Sequence, residues 1–175
     1  MYFMKIALMM CGGALALMGS MALAGPVSPL EVKIELRVLD FISEPADRSV
    51  VAVLYDRDRA ASAEEASAIL KALQESVGLA RYKIAPRLVE VRSLAGLKEI
   101  KAAILTTGLD EAMVLQYGIA NQTLVLSSGT ACAREHRCMA GVTTVPDVEI
   151  GVNMPAIEAA HIRFTDGFEL MVKEY

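Results

Sequence analysis

The chain has 175 residues, of which 54% are hydrophobic and 22% charged, and its net charge at neutral pH is −4. That length accommodates one domain with a real core. The acidic balance, with no run of basic residues, argues against nucleic acid, whose affinity rests largely on Lys and Arg meeting phosphates.

The first stretch reads "MYFMKIALMMCGGALALMGSMALAGPVSP". Lys5 precedes an uncharged apolar run that closes on Ala22-Leu23-Ala24, the arrangement of a secretory signal peptide with cleavage expected after Ala24. The run approaches the ~18 residues of a membrane-spanning helix, so a retained anchor is the alternative; its glycines and small closing residues favour removal. Cys11 follows Met9 and Met10, where a lipid-modified cysteine would have small residues, and it falls in the discarded segment 1–24. Residues 25–175 then form a single exported, periplasmic domain, more acidic by the one charge of Lys5. No second apolar stretch reaches spanning length, and no repeat or linker divides the body.

Ser28 with Glu31 three residues on, and Pro29 between them, is a capping box that starts a helix over "SPLEVKIELRVLDFI". Leu30, Ile34, Val38, Phe41 and Ile42 are expected on its apolar face, widened by Val32, Leu36 and Leu39. After the break "SEPAD", residues 49–55 ("SVVAVLY") are a continuous β-branched run, the pattern of a strand buried on both faces. A second capping box, Ser62 with Glu65, predicts a helix whose inner face is Ala66, Ile69, Leu70, Leu73 and Val77, stopped by Gly78. Strands at 87–92, 102–107 and 123–128 alternate with a short helical passage begun by Ser93 and with the helix "DEAMVLQYGIA". This alternation predicts an α/β fold with a mostly parallel central sheet flanked by helices. Further on, "AGVTTV" and "VEIGVN", separated by Pro146-Asp147, predict a short antiparallel hairpin or edge pair. "MPAIEAAHI" is a short helix capped by Asn153, and "TDGFELMVKEY" is expected to close the chain as another.

Residue types offer little chemistry. No phosphate-cradling glycine motif is present, and Ser127-Ser128-Gly129 lacks the pattern of a nucleophile elbow. His136 and His161 have no spacing that makes either a triad member or a ligand. The chain is therefore expected not to be an enzyme and to need no cofactor or metal. Asp56, Arg57, Asp58 and Arg59 end a strand where open α/β sheets bind ligands, although a solvated loop of compensating charges reads the same way.

"ACAREHRCMAG" (131–141) holds Cys132 and Cys138 with His136 between them. Export places the pair in an oxidising space, where a disulfide is expected. The alternatives are three ligands of a zinc site, which ordinarily takes four, or a polar surface loop stapled for rigidity alone. Arg134, Glu135 and Arg137 make the loop polar.

The signal peptide, "LEVKIELRVLDFI", "SVVAVLYD", "VEVRSLAGLKEIKAAILTT", "TLVLSS" and "VEIGVNMPAIEAAHIRFTDGFELMVKEY" together resemble the YfiR-like periplasmic regulatory proteins. Asn153, Ala159, Ala160, Phe168 and Leu170 match that family's closing segment. The resemblance implies a small α/β domain, often dimeric, that binds the periplasmic region of an inner-membrane diguanylate cyclase and holds it inactive. Cys132 and Cys138 match the family's close cysteine pair, whose redox state affects that hold. Two departures stand out: residues 25–131 contain no cysteine for the second pair, and "SEPAD" replaces the Trp-Pro that follows the first helix. On this reading the loop 132–138, with Arg134 and His136, and the first and last helices make partner or self contacts, with Asn153 beside them. The competing classes are a small-molecule receptor, with its ligand near Asp56–Arg59 and Thr106–Gly108, and an accessory subunit of a membrane sensory complex.

Overall fold

The computed structural model describes residues 27–43, 48–81 and 83–175. The expected signal peptide, its cleavage site, Cys11 and most of "SEPAD" lie outside those residues.

The elements in chain order are α1 (Pro29–Leu39), β1 (Arg48–Tyr55), α2 (Ala60–Ser76), β2 (Lys83–Glu90), β3 (Ile100–Leu105), α3 (Glu111–Asn121), β4 (Leu124–Ser128), α4 (Ala131–Arg134), β5 (Ala140–Thr143), β6 (Glu149–Val152), α5 (Met154–Ala159) and β7 (Lys173–Glu174). All seven strands join one sheet in the order β2-β1-β3-β4-β5-β6-β7. The first five are parallel, β5 and β6 form the antiparallel hairpin, and β7 pairs parallel to β6. The architecture is thus the expected α/β sandwich with a mostly parallel sheet. Among the described residues, no helix is long and apolar enough to cross a membrane.

The central strands explain why their signals were so plain. Val51 to Leu54, Ala102 to Ile104 and Leu124 to Leu126 are all buried, because helices cover both faces and an alternating polar side would have no water to reach. α1 packs on α2, β4 and β5, whereas α3 packs on β3, β4 and α5. Winding outward from β1 in one direction and from β3 in the other puts α2 and α3 on opposite faces when both crossovers are right-handed. The reversal between β1 and β3 is the topological switch point.

Several expectations change. Ser28 caps α1 as a full capping box with Glu31, but the helix is turned from the expected face: Glu35 is buried among Val32, Leu36, Val38 and Leu39, while Leu30 is exposed. α2 starts at Ala60 without a side-chain cap, because Ser62 and Glu65 hydrogen-bond to residues of the neighbouring strand loop instead. The passage begun by Ser93 is a 3-10 turn, Val91–Gly96, and β2 starts earlier than expected, with Pro86 tolerated because β2 is an edge strand. The closing segment is not a helix. It forms a 3-10 turn at Glu169–Met171 and then β7, since Gly167 adopts a left-handed φ of 90° and the free edge of β6 offers backbone partners, as in the bond from Tyr175 N to Val152 O.

Gly141 on β5 shows how tightly the hairpin is seated. A Cβ there would lie 3.0 Å from the Gly129 carbonyl carbon and 3.1 Å from Thr130 Cα, both backbone atoms that cannot swing aside. Gly141→Ala is expected to lower stability by roughly 1–3 kcal/mol in urea titration. Gly78→Ala, with open space around its Cβ, should leave the midpoint unchanged or raise it, with a gain of at most about 1 kcal/mol.

Candidate functional site

The carboxyl ends of the parallel strands gather the loops in which this topology places ligands. At the switch point, Thr106 Oγ1 donates to the Leu54 carbonyl at 2.8 Å and lies 2.6 Å from Ser62 Oγ. With the Thr106 proton engaged, Ser62 donates in that contact. Ser62 also accepts from Asp56 N at 3.0 Å. Glu65 Oε2 accepts from Thr107 N at 2.8 Å, and Arg59 lies against the open side of Gly108. Asp56–Arg59 and Thr106–Gly108 do come together as the sequence suggested, and their polar groups meet one another across the crevice.

Three of the four charges of "DRDR", those of Asp56, Asp58 and Arg59, are paired locally. Asp56 pairs with Arg59 at 3.3 Å, and Arg92 reaches Asp58 at 2.5 Å, with Asp56 and Glu90 somewhat farther off. The Arg92 guanidinium holds the Asp58 carboxyl below its ordinary range by hydrogen bond and charge. Arg92 escaped the sequence reading because it is remote in the chain and follows β2, whose end lies beside that of β1.

Beyond β4 lies a group that hydrophobic periodicity could not find. Glu35 projects from α1 to the end of β4, where its Oε1 accepts from Ser128 Oγ at 3.3 Å. It is wholly buried, and its Oε2 has no hydrogen-bond partner. Burial pushes its pKa up from 4.5 to about 8; the Ser128 hydrogen bond opposes the shift, and the charges of Glu31 and Glu65 add to it. One turn earlier, Thr144 donates to Glu31 Oε1 at 3.3 Å, so the first turns of α1 sit over the carboxyl ends of β4 and β5.

The cysteine loop lies on the α3 and α5 side. Cys132 on α4 is disulfide-bonded to Cys138, with Cα atoms 5.4 Å apart. Both are buried, Cys132 at 4% exposure and Cys138 at 0%, so a reductant reaches them only when the loop opens. The polar residues between them are exposed, as their types predicted. Arg137 pairs with Glu111 on α3 and with Glu135. His136, in a left-handed conformation, places Nδ1 3.2 Å from Asn153 Oδ1. Asn153 is itself buried; its amide donates to the Cys138 carbonyl and its Oδ1 caps α5 at Ala156 N. Asn153 therefore ties the loop to α5 and presents no surface, whereas Arg134 and His136 stay accessible.

No family model and no curated protein matches this chain. A solved structure described as a conserved domain protein from Vibrio cholerae O1 biovar El Tor strain N16961 is similar to it, with a TM-score of 0.60 at 11% identity. The match covers 82% of this chain and 59% of that one. At that identity the likeness is one of fold.

Two outcomes follow from this geometry. A carboxyl whose folded-state pKa lies above its unfolded value keeps its proton where the unfolded chain loses it. Glu35 thus costs nothing below about pH 4.5 and progressively more as pH rises toward about 8. Glu35→Gln should flatten that part of the pH–stability curve, gaining on the order of 3 kcal/mol over the native chain at pH 7; parallel curves would show that the carboxyl is not shifted. Separately, replacing both Cys132 and Cys138 with Ser should lower stability by about 2 kcal/mol, the loop-entropy value for so short a loop, in chemical denaturation.

Proposed function

We propose that this chain is an exported regulatory binding protein that acts by protein contact, holding an inner-membrane signalling enzyme of the diguanylate cyclase type inactive. The observation that carries this reading is a set of exposed aliphatic residues on two segments that meet at the carboxyl edge, the start of α1 and the tip of the β5–β6 hairpin. Leu30, Val145 and Val148 are 51%, 78% and 58% exposed, and the Thr144–Glu31 hydrogen bond draws the hairpin tip to the start of α1. Single exposed aliphatic residues are ordinary, but several around one contact mark an interaction surface.

The switch-point crevice supports the same reading. Its hydroxyls and backbone groups already pair with one another, so a small molecule there would have to displace those bonds. A protein partner at the rim meets no such cost. Repression follows if the exposed edge binds the inactive form of the enzyme more tightly than the active form, since only differential affinity shifts an equilibrium. The resemblance to YfiR-like proteins supplies the class of enzyme and the periplasmic location. Redox control, on this reading, acts through opening of loop 132–138, because the disulfide itself is buried.

A photocrosslinking amino acid at position 145 in the native host tests the assignment. The expected adduct is an inner-membrane signalling enzyme, and Val148→Asp should weaken its capture by roughly tenfold, as for an apolar anchor at an interface. An adduct only with a second copy of this chain, or none at all, would overturn it.

A further inference from the structure

At the opposite edge of the sheet, a cleft of about 350 Å³ is lined by Ile42, Lys101, Gln122, His161, Ile162 and Arg163. Lys101 and Arg163 are cationic, and His161 and Gln122 add N–H donors. No acidic side chain among the described residues lines it, in a chain whose net charge is −4. Among those residues, neither Lys101, His161 nor Arg163 has a side-chain hydrogen bond or an ion pair; exposed cations such as Lys33, Lys71, Arg87 and Arg134 are likewise unpaired, and what sets the cleft apart is that its cations share one concavity.

The bland account is that these groups complement the negative ends of α3 and α5, which finish beside the cleft at Gln122 and Ala160. None of them hydrogen-bonds a carbonyl of those helix ends, so their donors remain available to a ligand. Gln122 and His161 also hold left-handed φ angles of 53° and 54° just past the two helices, where glycine is the least strained residue. Side chains with donors stand there instead. The cleft is firmly mounted: Lys101 belongs to β3, and the strand-like segment bearing Arg163 is held by Ser43 N to Arg163 O at 2.8 Å and Thr165 N to Phe41 O at 2.7 Å.

We infer that this cleft binds a small dianion, a phosphoryl group or a dicarboxylate, gripped by Lys101 and Arg163 with His161 and Gln122 completing the shell. Arg163 supplies the planar fork suited to two oxygens of one group, and Lys101 supplies a compact charge. Ile42 and Ile162 form an apolar wall for the ligand's carbon portion. The site lies away from the proposed docking edge and does not depend on that assignment.

The test is titration of the full exported chain with inorganic phosphate and with succinate, followed by amide chemical shifts. Saturable shifts confined to the segments around 101, 122 and 161–163 are expected. Lys101→Gln and Arg163→Gln should each weaken binding about tenfold, the loss of one charge-assisted hydrogen bond, with the unliganded melting temperature unchanged. Cosedimentation with vesicles containing phosphatidic acid, whose phosphomonoester headgroup can carry two charges, that is lost in both variants would identify the phosphoryl group as a lipid headgroup; free-anion binding without cosedimentation would identify a solute. Absence of saturable binding to phosphate, succinate and vesicles alike, or binding that survives the double variant, would overturn the inference.

Discussion

Two buried hydroxyls set the geometry on which the rest of this fold leans. Ser62 Oγ and Thr106 Oγ1 meet at 2.6 Å, and the chain of donors runs from the Asp56 amide through Ser62 and Thr106 to the Leu54 carbonyl. Those few bonds join the end of β1, the end of β3 and the first turn of α2, where the winding of the sheet reverses. Each member is buried or nearly so, and removing one would strand a polar atom away from water, a cost larger than the net worth of the bond itself. Fixing the start of α2 fixes the layer that α1 packs against, and hence where Glu35 and the hairpin tip come to rest.

The same residues mark the boundary of what the sequence reveals. β1, β3 and β4 were legible because burial on both faces forces unbroken apolar runs, and α1 and α5 because Ser28 and Asn153 cap them through bonds local to the chain. Ser62 and Glu65 have the spacing of a cap yet serve tertiary bonds to Thr106 and Thr107; a local pattern cannot reveal a partner forty residues away. Glu35 misled for a related reason. Hydrophobic periodicity assigns a charged residue to the water face, and only the three-dimensional arrangement puts this carboxyl under Ser128. The closing segment has the composition of a helix, but its fate was decided by the free edge of β6, a nonlocal feature.

The candidate sites divide along the same line. Asp56–Arg59 and Thr106–Gly108 could be placed together from topology alone, because strand ends in a parallel sheet share an edge. The disulfide was expected from two cysteines six residues apart, on the premise of an oxidising compartment, and the two sulfurs are bonded in the fold. Arg92 among the loop charges, and the cleft assembled from β3, the end of α3 and the segment after α5, draw on positions scattered through the chain. No motif joins them, and they become visible only when the fold brings them within reach.

The two-residue strand β7 has a wider meaning than its length suggests. It covers the outer edge of β6, and Tyr175 lies where a Cβ on Gly151 would otherwise project, its hydroxyl donating to Glu149 at 3.0 Å. An open strand edge is a template on which another chain can add. Because β7 is tethered to that edge by its own polypeptide, its effective concentration there is on the order of millimolar. Strands from other molecules, far more dilute, are therefore outcompeted, and a brief closing segment protects the sheet from runaway self-association.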